Sequence, residues 1–265
     1  MAKSTLKLGD ITVHVLDDGI FITDAGNLFG DSKKAKIKGA MRPVLIESGE
    51  DLILLDAGFG PELPESLEGR YELKREETLV DRLEEAGHSP EDVTHVVLSH
   101  LDPDHVGWAL RPQSFPNAKV LAQKAAVEEA KGLPEESPRR EIAPIFEKGV
   151  EEGWCELMDG DSEVVEGVRA EVRSGHAEGH QIFWIGTGED LALFTADLAP
   201  AKIWLDPDLI AGVDTDPKAA RKNRIEVLTE AAELGAPVIL YHEPKDFLVR
   251  VRQKDESFEA VPLED

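Results

Sequence analysis

The 265 residues are enough for a sizeable core, and the 41% apolar share is ordinary for a globular chain. Acidic residues outnumber basic ones 54 to 29, a formal charge of −25, and that field argues against nucleic-acid or membrane-surface binding. No run approaches the about 18 apolar residues of a membrane span, and the start at Met1–Lys7 lacks the apolar core of a secretory signal, so a cytoplasmic location is expected.

Short runs rich in Val, Ile and Leu, bounded by Gly, Asp or Pro, predict strands at Ile11–Val15, Pro43–Ile46 and Leu52–Leu55. Between the first two, Asp17–Met41 is long, Gly-rich and strand-poor, and it reads as a loop of the kind that often forms a lid or binding loop. Thr78–Ala86 carries Leu79, Val80 and Leu83 on one face and stops before Gly87, which predicts a helix. Further strands are expected at His95–Leu98 and Lys119–Leu121. Weaker helical patterns follow at Lys124–Lys131 and Glu141–Val150, with the Pro-rich stretch Leu133–Pro144 read as a second loop. Ile182–Ile185, Leu191–Phe194 and Val238–Tyr241 are the last strands. Before the final one, Asp216 as N-cap and Pro217 at the first position open a helix reaching about Leu234, ahead of Gly235. No repeat, low-complexity tract or linker divides the chain, so a single domain over residues 1–265 is expected. A strand meander followed by alternating helices and strands predicts mixed sheets covered by helices, an α/β (α+β) layered architecture.

The chemistry is concentrated in polar stretches just beyond strand ends. Ser99-His100-Leu101-Asp102-Pro103-Asp104-His105 puts four ligand-type side chains into six positions, too dense for a packing explanation. Ser174-Gly175-His176-Ala177-Glu178-Gly179-His180, Phe194-Thr195-Ala196-Asp197 and Leu240-Tyr241-His242-Glu243-Pro244 repeat the pattern. Singly each would be weak. Together they place imidazoles and carboxylates where the loops at one sheet edge converge, and that donor mixture suits zinc, iron or manganese. Cys155, the single cysteine, reads as a packing residue, so thiolates hold no metal here.

These stretches resemble the metallo-β-lactamase superfamily, whose hallmark is His-x-His-x-Asp-His after a strand, then Gly-His, an Asp after a strand and a final His. The matching residues are His100-x-Asp102-x-Asp104-His105, Gly175-His176, Asp197 and His242, in that order; Asp56-Ala57-Gly58 is similar to the family's Asp-Thr-Gly turn. The resemblance runs from about Thr12 to about Pro244. The Asp214-x-Asp216-Pro217 helix start looks most like the N-acyl homoserine lactonase and methyl parathion hydrolase branch. It implies an αββα sandwich of two mixed sheets flanked by helices, and a homodimer. It also implies two divalent ions, zinc first and iron or manganese as alternatives. One would be held by His100, Asp102 and His176, the other by Asp104, His105 and His242, with Asp197 bridging; of the two histidines in the second cluster, His176 rather than His180 matches the ligand. Asp56 is expected to order the site without binding metal.

The departure from the family is Asp102, which stands where a histidine is usual. A third carboxylate beside Asp104 and Asp197 makes the ion pair less electrophilic and shifts preference toward harder ions. The implied activity is hydrolysis of a lactone, ester or organophosphate by a hydroxide held between the ions, with Asp104 moving a proton. The Tyr that the lactonase branch often carries shortly after the bridging Asp is missing from Asp197-Leu198-Ala199-Pro200. Phe59, Trp108 and Trp204, with Phe21 or Phe29, are candidates for an apolar wall around a small hydrophobic substrate, whereas Trp184 within a strand reads as core. Two other readings compete: a diiron-type redox or hydrolytic dehalogenase activity, motivated by Asp102, and a metal-binding module that has lost catalysis.

Overall fold

A computed structural model describes residues 4–29 and 35–263. The Met1–Lys3 part of the N-terminal reading, and residues 30–34 of the segment read as a long loop, lie outside them. Why the predicted strands are unbroken apolar runs is seen in Asp51–Leu55. Ile53 and Leu55 face one core while Leu52 and Leu54 face another. Both faces of this strand are buried, so alternation gives way to continuous hydrophobicity. Phe183 and Ile185 against Ile182 and Trp184 show the same division in the Gln181–Thr187 strand of the second sheet, with Trp184 in the core as expected.

One seven-stranded sheet runs in the spatial order Thr5–Leu8, Ile11–Val15, Val44–Ser48, Asp51–Leu55, His95–Val97, Lys119–Gln123 and Cys155–Met158. It is antiparallel through Asp51–Leu55 and parallel beyond. The other seven-stranded sheet follows chain order from Ser162–Val165 to Ser257–Pro262, with a parallel step between Asp190–Phe194 and Val238–Ile239. The core between the sheets holds Val13, Ile46, Leu55 and Val97 from the first against Val168, Phe183, Phe194 and Ile239 from the second. Helices Leu79–Glu85, Lys124–Gly132 and Pro138–Glu152 cover the outer face of the first sheet, and Pro217–Leu234 covers that of the second. The expected αββα sandwich is therefore present. No helix among the described residues is long and apolar enough to cross a membrane.

Two expectations need correcting. Asp17–Met41 is no strand-poor loop: it contains strands Ile20–Asp24 and Lys36–Ala40 and the short helix Ala25–Phe29. With Tyr71–Lys74 these strands form a third, antiparallel sheet. Gly39, which reads as a loop residue, is a strand residue whose missing side chain makes room for the Phe21 ring; a Cβ there would lie 2.3 Å from it. The Leu133–Pro144 loop ends early as well, because a helix begins at Pro138 and continues through Pro144. Pro144 forfeits one backbone hydrogen bond, but Ile142, Ala143 and Phe146 anchor that helix in the outer core.

The loops that carry the polar clusters are tied together through their backbones. Ala57 N–H donates to His105 O at 2.6 Å, Gly107 N–H to Gly58 O at 2.7 Å and Trp108 N–H to Ala57 O at 3.0 Å. This approach requires glycine at 107, since a Cβ there would lie 1.9 Å from the Phe59 carbonyl carbon.

Candidate metal centre

Each cluster leaves the C-terminal end of a strand. His100 follows His95–Val97, and Asp102 directly precedes the one-turn helix Pro103–Val106, which carries Asp104 and His105. His176 lies between Val168–Val172 and Gln181–Thr187, while Asp197 sits in a single 3₁₀ turn after Asp190–Phe194. His242 follows Val238–Ile239. Strands of both sheets thus aim these groups at one spot, which is how a rigid sandwich assembles a site from loops.

The seven residues form two adjoining groups. In the first, Asp102 Oδ2 lies 3.4 Å from His100 Nε2 and 3.2 Å from His176 Nε2, while Asp197 Oδ2 is 3.9 and 3.5 Å from the same nitrogens. In the second, His242 Nε2 is 3.5 Å from Asp104 Oδ2, and Asp197 Oδ1 lies 3.3 Å from His105 Nε2 and 3.2 Å from His242 Nε2. Asp197 thus presents one carboxylate oxygen to each group.

Every imidazole is aimed from behind. The Nδ1 atoms of His100, His105, His176 and His242 contact Ser99 Oγ at 2.9 Å, Asp56 Oδ2 at 2.8 Å, Asp214 Oδ1 at 3.0 Å and Ala40 O at 2.8 Å. Holding Nδ1 fixes the ring and leaves Nε2 facing the centre, as metal-ligating histidines require. Burial works against ionising Asp197, yet His242 and His105 outweigh it and hold its carboxyl well below the usual carboxylate range. Nε2 of His100, Nε2 of His105 and Oδ1 of Asp197 are buried without a hydrogen-bond partner among the described residues. Convergent imidazole nitrogens and carboxylate oxygens with orphaned donor atoms fit divalent metal, and each of the two groups brings at least three ligand atoms within 4.8 Å of one another.

Further residues support the centre, Asp56 as expected and the others without a signal in the sequence. His180 turns away from the carboxylates, and its Nε2 accepts a hydrogen bond from Asp197 N–H at 3.2 Å. Burial, then His100 and His176, keep its ring neutral and able to accept. Asp56 is fully buried with φ of 58° and accepts from Ser99 N–H and Ser99 Oγ–H, both at 2.7 Å, as well as from His105. Asp214 drew attention only as part of a helix start, and nothing in the sequence links it to His176, 38 residues away. Tyr241 donates its hydroxyl to Asp104 O at 2.6 Å and stacks on His105. His14 and His88 pair with Glu47, and His95 with Asp51, all away from the centre.

A cavity of about 350 Å³ opens over the two groups, with Asp102, Asp104, His176, Asp197 and His242 at its floor. The third sheet supplies Phe21, Ile37 and Tyr71 to its wall, and the segment after Asp197 supplies Pro200, Ile203 and Trp204. Trp204 stacks on Phe29 at 5.5 Å, and Phe29 also lines the cavity. Phe59 and Trp108, expected at the wall, are not on it. Phe59 is 3% exposed and packs edge-on behind Phe21, in the core between the sheets. Trp108 follows the backbone contact at Gly107, which sends its ring into the outer core near Arg75. Nearness in sequence to a ligand did not determine which side of the turn these rings occupy.

The fold and this donor set define a metal-dependent hydrolase. Residues 43–243 match the metallo-β-lactamase superfamily, and the chain belongs to it. Over 213 residues, 74% of this chain and 78% of the relative, it is 29% identical to an N-acyl homoserine lactonase of Bacillus cereus. It is 34% identical over 99 residues, 34% of the chain and 29% of the relative, to a probable metallo-hydrolase of Mycobacterium tuberculosis. Among solved structures it is similar to AidC, a dizinc quorum-quenching lactonase, with a TM-score of 0.81 and 23% identity over 100% of this chain and 98% of that one. A hydrolase of the β-lactamase superfamily, AbOPH, also gives 0.81, at 20% identity over 100% and 99% of the two chains. At these identities the likeness to solved structures is one of fold.

Proposed function

We propose that this chain binds two divalent ions, zinc in the first instance, and hydrolyses a neutral cyclic or open ester, with a lactone bearing an apolar chain as the leading substrate. The observation that carries this reading is the sharing of Asp197 between two ligand groups on the floor of an apolar-walled cavity. His100, Asp102 and His176 would hold one ion, and Asp104, His105 and His242 the other. Bound ions of this kind supply an activated water and polarise the substrate's reacting oxygen. The lactonases among the relatives support a lactone, and the apolar wall suits an acyl chain. Aryl esters and phosphotriesters fit the same chemistry.

Asp104 would take a proton from the nucleophile and return it to the leaving oxygen. Tyr71, which lines the same cavity from the third sheet, would take the place of the missing tyrosine. Burial first, then Asp104 and Asp102, push its pKa far up, so the hydroxyl stays protonated and able to donate to a developing oxyanion.

The reading is tested by loading purified protein with zinc, iron or manganese and assaying a panel of acyl lactones, aryl esters and phosphotriesters. Turnover is expected to be best on lactones with an aliphatic chain and to vanish on chelation; no turnover of any panel member with any ion overturns it. Tyr71→Phe is expected to lower kcat by about 10–100-fold, with KM and metal content near those of the parent. An unchanged kcat would remove Tyr71 from the reaction.

A further inference from the structure

The departure of Asp102 from the family pattern has a counterpart in a different element. Asp102 uses its two oxygens differently. Oδ2 faces His100 and His176, while Oδ1 meets Arg139 Nε at 3.1 Å. Arg139 is the second residue of the helix Pro138–Glu152, within the stretch whose prolines suggested a loop. Its side chain is 14% exposed, and Nη1 is held 2.9 Å from Glu129 Oε2, on the preceding helix Lys124–Gly132. Glu129 Oε1 in turn accepts from Glu178 N–H at 3.3 Å, in the loop that carries His176. A guanidinium gripped on two sides cannot follow a moving carboxylate, so it sets where Asp102 points.

We infer that Arg139 is a positioning residue that turns Asp102 into the equivalent of the family's histidine, leaving one oxygen for metal and countering part of the added negative charge. The inference rests on the two-ion reading above. With histidine at 102 the first group carries no charge at this position; with aspartate, the guanidinium 3.1 Å away supplies a countering positive charge, which it shares with Glu129. The geometry matches as well: a carboxylate with one oxygen bound to a guanidinium offers a single donor atom, as imidazole does. The shift toward harder ions expected from Asp102 alone is offset, and zinc remains the favoured ion. Arg139 and Asp102 are then one unit, and neither tolerates replacement without the other.

The test is a double-mutant cycle on the full chain, read as ion affinity by competition with a chromophoric chelator, first with zinc and then with manganese. The parent is expected to take up two equivalents, and failure to take up any would defeat the two-ion reading and this inference with it. Arg139→Gln is expected to weaken the more labile zinc by about 10–100-fold, the usual effect of losing a group that orients a ligand, and Arg139→Lys to recover part of the loss. Asp102→His alone leaves the guanidinium facing an ion without its carboxylate and is expected to lose affinity too. Asp102→His combined with Arg139→Gln is expected to return to within a few-fold of the parent. That recovery is the signature of the pair, because a purely structural Arg139 would give losses that add. Two equivalents in the parent with unchanged zinc affinity in Arg139→Gln, or additive losses in the double variant, overturns the inference and leaves the two-ion reading standing.

Discussion

Asp197→Asn is expected to bring metal content below two equivalents per chain and to lower kcat/KM by about a thousandfold or more, roughly 4 kcal/mol of transition-state stabilisation. The substitution keeps the size and shape of the side chain but replaces one carboxylate oxygen with an amide nitrogen that cannot ligate. Oδ1 lies between His105 and His242, and Oδ2 between His100 and His176, so either orientation of the amide deprives one group of its shared oxygen. It also removes the negative charge that His242 and His105 hold in its ionised form against the cost of burial. The backbone should not respond, since the contact with His180 is made by the Asp197 N–H rather than the side chain. Elemental analysis beside steady-state kinetics checks both halves; full metal content with near-parent activity would mean that Asp197 bridges nothing.

A second large effect is expected at a residue outside the proposed ligand set. Asp56→Asn should weaken the second ion by about 10–100-fold and cost about 1–3 kcal/mol of stability. A carboxylate can only accept, so Asp56 obliges His105 Nδ1 to carry the proton and leaves the Nε2 lone pair free to face the centre. An asparagine amide that donates to Nδ1 reverses the tautomer and places a hydrogen on Nε2. The positive φ of 58° at this position is one that asparagine tolerates, so the variant isolates the hydrogen-bonding effect from backbone strain. Chelator competition and thermal unfolding measure the two consequences separately. Unaltered affinity for the second ion would show that His105 does not depend on Asp56 for its orientation.

Both effects arise because the centre is held by a shell of contacts from remote parts of the chain. Ala40, Asp56, Ser99 and Asp214 fix the four imidazoles, Tyr241 fixes the Asp104 backbone, and His180 fixes that of Asp197. Of these, Asp56 was expected from the family resemblance to support the site, and His180 only to be no ligand. The others carry no signature of their own, because a serine, an aspartate or a backbone carbonyl is unremarkable until folding brings a ring nitrogen to it.

The layered architecture and the identity of the converging side chains were legible along the chain alone. Both are local signals: doubly buried strands such as Leu52–Leu55 read as apolar runs, and the density of donors in His100–His105 has no packing explanation. Asp216, Pro217 and Gly235 likewise marked the ends of the long helix, since caps are chosen by backbone geometry at single positions. Where each side chain points was settled by folding. It set His176 toward the carboxylates and His180 away from them, placed Phe59 and Trp108 behind the wall, and brought in Tyr71 on a strand the sequence did not reveal and Arg139 on the first turn of a helix read as starting only at Glu141. The physical reason is common to all of them. Past the end of a strand the periodicity that dictates direction is lost, and orientation is then set by contacts with residues distant in the chain, such as Phe21 against Gly39 or Gly107 against the Asp56–Gly60 turn.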